Sequence, residues 1–261
     1  MYVRPTSPLT ISGVLDQGFK LYTSAFRPVL GLAILTGIAS ALPNAALTLL
    51  GVDAEDAESI MASLALFLPI MLIGLLLYGV FYLALVIRLH AFTQDDDPGI
   101  ARCLSRASWK LIPVTLSTIL FSLIVFAGLL LLLVPGMILA VYLSYYVLAI
   151  TLDDRGPVDG LKYSLDLVRG YWWRCAIIAT MAVIITGVAG ALVGLASATV
   201  QFAGDVTLIK SVNLIVSLLV SPAINAIFIP LNVAFAITLY QDLKLRKEGD
   251  DLNARIDAIT I

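Results

Sequence analysis

The chain has 261 residues, of which 60% are hydrophobic and 13% are charged, and its mean hydropathy is +1.00. So much apolar surface cannot be enclosed in a water-soluble core, which excludes a soluble globular protein and predicts an integral membrane protein. The two cysteines, Cys103 and Cys175, lie in or beside basic segments, which argues against a disulfide or a Cys/His metal site. The net charge of -2 says nothing about orientation, because orientation depends on where Lys and Arg fall relative to the apolar runs.

The first part of the chain combines a basic segment with an uncharged run. Residues 1–28 carry three bases and place apolar side chains at helical spacing, which predicts a cytoplasmic interfacial helix. Residues 29–50 contain no charge and would form a helix about 33 Å long, enough to cross a hydrocarbon core of ~30 Å. An acidic loop at 51–59 separates this first span from a second at residues 60–89.

A second basic segment precedes the longest apolar run. Within residues 98–110 the apolar side chains again share one helical face, which predicts another interfacial helix. Residues 111–152 carry no charge, and a helix of that length would measure about 63 Å, twice the thickness of the membrane. This run must therefore cross twice, with a turn at residues 134–136 and spans at 111–134 and 137–152.

The polar stretch at residues 153–174 is the clearest interfacial segment. Its apolar side chains recur at intervals of three and four with a charged stripe beside them, which predicts an amphipathic helix on the membrane surface. Pro157 suits the first helical turn, and the aromatic residues that end the segment suit an interfacial belt. The predicted apolar face consists of Val158, Leu161, Leu165, Val168 and Trp172.

The last two spans are predicted at residues 175–203 and 208–240, joined by an outward turn at 204–207 and followed by a polar tail at 241–261. Of the 16 Lys and Arg residues, only Lys210 then lies on the side opposite the termini. Because basic residues are retained in the cytoplasm, we expect both termini there. We therefore predict a single all-α integral membrane domain with six transmembrane helices, in which cytoplasmic amphipathic interfacial helices precede three helical hairpins.

Residues 239–256, LYQDLKLRKEGDDLNARI, resemble the ending of a broad group of bacterial inner-membrane proteins. That ending reads L-Y-x-D-L-x-x-R-x-E-G-x-D-L, and it is matched here by Leu239, Tyr240, Asp242, Leu243, Arg246, Glu248, Gly249, Asp251 and Leu252. The segments GVLDQGFKLYTSAFRPVL and GPVDGLKYSLDLVRGYWWR also resemble the group, which is related to the membrane domain of glycerophosphoryl diester phosphodiesterases and to YciC-like inner-membrane proteins. The resemblance implies a six-span inner-membrane bundle. It carries over no catalytic residue, because the phosphodiesterase domain of some relatives has no counterpart here.

The sequence offers little for enzyme chemistry. Catalysis needs an acid, base, nucleophile or metal held in a site, and no charged residue falls within the predicted spans away from their ends. His90 lies beside Arg88 at the end of the second span, where an interfacial position is favoured over proton handling. We therefore predict no catalytic residue, no cofactor, no metal site and no nucleic-acid partner.

Bases on or next to the predicted interfacial helices are candidate contacts to anionic lipid, where each is worth about 1 kcal/mol. They are Lys20, Arg27, Arg102, Arg106, Lys162, Arg169 and Arg174. The alternative is that these bases fix the topology alone, and the pattern leaves both open.

Polar residues recur along one face of the sixth span, and a similar run occurs in the first. The candidate polar seam consists of Asn44, Asn213, Ser217, Ser221, Asn225 and Asn232. Such residues hydrogen-bond between spans at about 0.6 kcal/mol per contact, so helix packing is favoured over a polar pathway or a headgroup cleft. In the fifth span, Gly190 and Gly194 have the spacing of close helix packing, inside the bundle or in a homo-oligomer.

These features favour a non-enzymatic protein of the bacterial inner membrane that acts in envelope or lipid homeostasis or as a membrane scaffold. We expect membrane lipids as its partners, together with either another protein or further copies of the same chain. The alternative is a transporter or channel for a lipid or small neutral solute that uses the polar seam.

Overall fold

The computed structural model describes residues 5, 7–50, 57–201 and 206–259. Within them the chain forms nine α-helices, α1 Ile11–Leu50, α2 Ala57–Phe92, α3 Ile100–Leu131, α4 Leu133–Leu143, α5 Tyr146–Leu152, α6 Pro157–Val168, α7 Trp172–Gln201, α8 Val206–Ile215 and α9 Ser221–Ile259. A π-helical segment, Val216–Val220, joins α8 to α9. Residues 51–56 of the predicted acidic loop and residues 202–205, which include the start of the predicted outward turn, lie outside the described residues.

Six stretches of the described helices are long and apolar enough to cross a membrane, as predicted. They are Ile11–Ala46, Leu64–Phe92, Ile100–Leu131, Leu133–Leu152, Trp172–Leu195 and Ser211–Lys247. The fourth has a short break at Ser144 and Tyr145, between α4 and α5. The chain is therefore an all-α multi-pass membrane protein, which confirms the predicted fold class.

The third and fourth spans form the predicted hairpin, but its turn lies earlier than expected. Leu132, with φ of -161° and ψ of 142°, separates α3 from α4, so Pro135 and Gly136 lie in the first turn of α4. Proline is tolerated there because its missing N–H would have no helical partner in any case. The hydroxyl oxygens of Thr118 and Tyr146, each fourteen residues from the turn, are 2.7 Å apart. The two helices therefore run antiparallel.

Two of the three predicted interfacial helices are wrong as separate elements, because each continues directly into a span. α1 passes through the predicted boundary at residues 28–29, and α3 joins the second basic segment to the third span. Their predicted apolar faces also contact protein: Val14 of α1 and Ala107 of α3 are fully buried in the main core cluster. A helix buried against protein produces the same sequence period as a helix lying on lipid, so the pattern alone did not separate the two.

The third interfacial segment does form a separate helix, α6, but protein covers part of the side predicted to lie on lipid. Leu161 and Val168 of that side are buried within the protein, whereas Val158 and Leu165 are 51% and 37% exposed. The helix ends before Gly170, whose φ of +90° turns the chain into α7. A positive φ favours glycine, which explains why the predicted continuation to Trp172 is interrupted.

Ser164 explains which face of α6 is buried. Its hydroxyl accepts a hydrogen bond from the N–H of Tyr145 at 3.0 Å and donates one to the carbonyl of Tyr142 at 2.9 Å. Both backbone groups lie at the break between α4 and α5, where regular helical partners are missing. Next to this contact, Gly160 leaves room for Ile150. The prediction considered only large apolar side chains, so it did not include the face of α6 that carries Ser164 and Gly160.

α1 and α9 lie at the centre of the bundle and meet at small residues. A Cβ atom on Gly37 would overlap the carbonyl of Pro222, and one on Gly18 would overlap Phe235. The π-helical segment ends directly before α9 and its Pro222. Proline clashes with the carbonyl four residues earlier, and a widened turn relieves that clash while the helix continues.

α7 is peripheral, since only 6% of its most apolar stretch of 18 residues is buried within the protein. A Cβ atom built on Gly190 or Gly194 would have no neighbour within 4 Å among the described residues. The small surface of α7 therefore does not pack inside the described part of the bundle, which was the favoured of its two predicted uses.

Candidate functional site: a polar base and an apolar groove

Charged and hydroxyl-bearing side chains from three parts of the chain meet at one end of the bundle. At this end α1 begins, α5 ends, α7 begins and α9 continues beyond its neighbours. We name this cluster the polar base, and it consists of Asp153, Arg174, Tyr240, Asp242, Lys244 and Arg246.

Asp242 is the centre of the polar base, and its side chain is fully buried. Its Oδ2 accepts hydrogen bonds from Nε of Arg174 at 2.9 Å and from Nε of Arg246 at 3.0 Å. Its Oδ1 accepts a third from the backbone N–H of Leu9 at 2.7 Å. Both arginines also donate from Nη2 to the carbonyl of Leu9. One carboxylate and two guanidinium groups thus fix both backbone groups of a residue just before α1.

Asp153, directly after α5, connects that end of the bundle to α9. Its carboxylate accepts a hydrogen bond from the Tyr240 hydroxyl at 2.6 Å and forms an ion pair with Lys244 at 2.9 Å. The Tyr240 side chain is 1% exposed, and its ring stacks on that of Tyr145 with centroids 6.5 Å apart. The Tyr, Asp and Arg of the sequence ending therefore each have a defined partner in the fold.

Asp154, the next residue, forms a similar set of contacts at the surface. Its carboxylate lies 2.5 Å from Nζ of Lys110 and 3.4 Å from Nη2 of Arg106. The hydrogen bond from Lys110 and the positive charges of both bases hold the pKa of Asp154 below its ordinary value. The Asp154 side chain is 63% exposed, so solvent screens these contacts.

Two small polar cavities open beside the polar base. The first, of about 200 Å³, lies between the end of α2 and the start of α3, and its polar lining consists of His90, Gln94, Asp96, Arg102, Cys103 and Arg106. The second, of about 210 Å³, is bounded by Pro5 and by Asp153, Tyr240 and Lys244 of the polar base. His90, Gln94 and Leu152 line both cavities, so the two are neighbours.

A larger apolar groove lies between residues 134–142 of α4 and residues 172–183 of α7, with a volume of about 870 Å³. Its α7 side is about 16 Å long at the helical rise of 1.5 Å per residue. Trp172 and Trp173 line one end, and the indole N–H of Trp172 donates to the carbonyl of Ile138 at 3.3 Å. Small side chains, Ala176 and Ala179, form its floor on α7.

Six of the seven predicted lipid contacts are exposed side chains, namely Lys20, Arg27, Arg102, Arg106, Lys162 and Arg169. Lys20 also pairs with Asp16 at 2.6 Å. Arg174 requires a correction, because its side chain is only 13% exposed and is directed to Asp242 and Leu9. The charge of Arg174 compensates a buried carboxylate and does not face lipid.

The polar seam is brought together at one point, where Nδ2 of Asn225 donates to the hydroxyl of Ser40 at 2.8 Å and so joins α9 to α1. Ser217 is buried and donates within its own helix turn, to the carbonyl of Leu214 at 3.1 Å. The Oδ1 atom of Asn232 is buried and has no hydrogen-bond partner among the described residues. The other seam residues, Asn44, Asn213 and Ser221, are exposed or half-buried.

The polar base was not predicted, because residues 241–261 were expected to form a polar tail. The signal was present in the apolar period of the sixth span. Leu239 and Leu243 continue that period past the predicted end at residue 240, and both are fully buried. A helix extended by this period places Asp242 and Arg246 one turn apart, the spacing of an intrahelical ion pair.

A helical bundle with six apolar spans and a charged, aromatic-rich end defines a multi-pass α-helical membrane protein. The chain belongs to the family described as a domain of unknown function, DUF7847, whose model matches residues 99–243. The matched region begins at the start of α3 and ends one residue after Asp242, so it contains the whole apolar groove. No curated protein and no solved structure matches the chain.

Proposed function

We propose that the protein is a non-enzymatic component of the bacterial inner membrane, with cytoplasmic termini, that binds phospholipid and acts in envelope or lipid homeostasis. The observation that carries this proposal is the apolar groove between α4 and α7. We also propose that the chain is related to the membrane domain of glycerophosphoryl diester phosphodiesterases and to YciC-like proteins. The likeness of residues 239–256 to the ending of that group supports this relation.

The shape of the groove suits an acyl chain. Its volume of about 870 Å³ falls within the range of ~300–1,000 Å³ usual for small-molecule sites. The groove faces outward along the peripheral helix α7, so in a bilayer it opens to hydrocarbon. Water in an apolar cavity at this depth would lack polar partners, so a lipid chain is the favoured occupant.

The charges near the groove suit a phosphate group. Trp172 and Trp173 mark the level of the lipid headgroups, where tryptophan is enriched. Arg169 precedes them by three residues and is exposed, and Lys162 is exposed on the adjoining helix α6. A phospholipid whose chain fills the groove would therefore place its phosphate near the positive charge of Arg169, which is worth about 1 kcal/mol at such a surface.

Native mass spectrometry of the full chain, released from nanodiscs of mixed phospholipids, tests the proposal. We expect the wild-type protein to retain a phospholipid, and Ala179→Phe, which fills the groove floor, to lower the retained fraction several-fold. Ala191→Phe is the matched control, because it makes the same change at an exposed position of α7 outside the groove. Equal retention by the two variants would refute a groove-bound lipid.

The proposed orientation has a separate test. Both native cysteines are buried, so a cysteine introduced at Leu132, between α3 and α4, can be labelled selectively. A membrane-impermeant thiol reagent should reach Leu132→Cys from outside intact cells and should reach Arg155→Cys only after lysis. The reverse pattern would place the termini outside the cytoplasm.

A second candidate function is a transporter or channel for a lipid or small neutral solute. The observation that favours it is the buried Oδ1 of Asn232, which has no hydrogen-bond partner within the described part of the chain, together with a cavity of about 250 Å³ beside Ser40. The test is transbilayer movement of a fluorescent phospholipid in proteoliposomes that contain Asn225→Leu or Asn232→Leu. Unchanged stability with lost transport would favour a pathway, whereas lost folding would favour helix packing.

A further inference from the structure

The polar cavity between α2 and α3 lies at the level of lipid headgroups. Arg102 and Arg106 in the first turns of α3 line it. Trp109, three residues after Arg106, is 82% exposed on the same helix. An exposed tryptophan next to bases at the end of an apolar helix marks the membrane interface, so the cavity opens where headgroups lie.

The α3 side of this cavity can receive a phosphate. Arg102 is exposed and forms no ion pair within 4 Å among the described residues. The contact between Arg106 and Asp154 is long, at 3.4 Å, whereas Lys110 contacts the same carboxylate at 2.5 Å. Gly99, the N-cap of α3, supplies no side-chain hydrogen bond, so the first N–H groups of the helix add to the positive potential.

The opposite wall of the same cavity carries a negative charge. Asp96 lines it, is exposed, and forms no ion pair with any described base. A hydrogen bond of 3.1 Å from the Asp96 N–H to the carbonyl of Ala91 holds the loop to the end of α2. The lining of the cavity therefore carries both cationic and anionic side chains, and Asp96 forms no ion pair with Arg102 or Arg106.

We propose that this cavity binds the phosphoethanolamine headgroup of a membrane phospholipid, with its phosphate at Arg102 and Arg106 and its ammonium group at Asp96. A phosphate group without a cation is attracted by the two arginines, but the carboxylate of Asp96 repels it and gains no partner. A zwitterionic headgroup satisfies both walls, because its two charges are separated by a short chain. The inference deepens the proposed lipid binding and rests on it, but it uses a site separate from the apolar groove.

The experiment is native mass spectrometry of the full-length protein from nanodiscs with equal amounts of phosphatidylethanolamine and phosphatidylglycerol. We expect the wild-type protein to retain phosphatidylethanolamine roughly two- to fivefold over phosphatidylglycerol, the ratio that a partly exposed charge contact supplies. Asp96→Asn should abolish this preference, and Arg102→Gln should reduce retention of both lipids. An excess of soluble phosphoethanolamine should compete with the bound lipid, and failure to compete would overturn the headgroup assignment.

Two matched controls lie nearby. Asp95→Asn makes the same change one residue away but outside the cavity lining, and asparagine tolerates the positive φ of 56° found there. Arg27→Gln removes an exposed base that lies outside both this cavity and the apolar groove. If Asp95→Asn lowers the preference as much as Asp96→Asn, the assignment is overturned.

The two lipid sites can fail independently. Ala179→Phe should lower the number of retained lipids without changing the headgroup preference. If the wild-type protein shows no headgroup preference while Ala179→Phe still lowers lipid retention, this inference is overturned and the groove proposal stands. A preserved preference with an ineffective Ala179→Phe would refute the groove alone.

Discussion

Asp242 and Asp154 each lie between two basic side chains, but one is buried and the other is at the surface. The Asp242 side chain is 0% exposed and that of Asp154 is 63% exposed. If the bases that contact Asp154 are removed, water can solvate its carboxylate. The buried carboxylate of Asp242 has no such replacement and depends on its protein partners. The same set of charges is therefore required for folding in one place and nearly dispensable in the other.

The largest effect is expected at Asp242. Asp242→Asn keeps the size of the side chain but leaves two largely covered guanidinium groups, 13% and 22% exposed, without their buried counter-charge, which costs about 3 kcal/mol of unfolding free energy. Thermal unfolding in detergent micelles measures the loss. Asp154→Asn is the matched control, and equal shifts in the two variants would contradict the comparison.

Arg174→Lys tests geometry at constant charge. Arg174 donates from Nε to Asp242 and from Nη2 to Leu9, two directions that a single ammonium group cannot match. We expect a loss of about 2 kcal/mol, the usual value of a charge-assisted hydrogen bond. Arg106→Lys at the exposed cluster should change the unfolding temperature little, and a large shift there would argue against solvent screening.

Tyr240→Phe probes the link between α9 and α5. The substitution removes the 2.6 Å hydrogen bond to Asp153 and leaves the ion pair of Asp153 with Lys244 in place. We expect a loss of about 1 kcal/mol, between the effects at the buried and the exposed aspartate. Unfolding temperatures of Tyr240→Phe and Tyr22→Phe, the latter on the half-buried face of α1, provide the measurement and its control. Equal small shifts would show that the Tyr240 hydroxyl contributes nothing.

The smallest effect is expected at Asp154, and it depends on pH. Its pKa is lowered in the folded protein, so its contribution is present above the ordinary value of 3.8 and is lost as the pH falls through the lower folded value. The stability difference between the wild-type protein and Asp154→Asn should be under about 1 kcal/mol at neutral pH and should vanish in strong acid or high salt. A difference that grows on acidification would reverse the assigned sign.

The sequence predicted the six crossings and the hairpin because hydropathy and length record membrane crossing directly. It did not predict what each amphipathic face contacts. The apolar period that includes Val14 was attributed to lipid, although Val14 is fully buried in the main core cluster of the protein. The burial of Asp242 was not predicted for a related reason. A carboxylate near the end of a span is expected to be solvated, and its partner Arg174 lies more than sixty residues away in the sequence.

The contact of Leu9 with Asp242 and Arg246 has a consequence for biogenesis. The ribosome makes Leu9 well over two hundred residues before Asp242 and Arg246, so the start of α1 cannot complete its bonding until α9 has been made. The last described helix to be synthesised thus completes the anchoring of the first, and quality control of nascent chains would detect a failure there late.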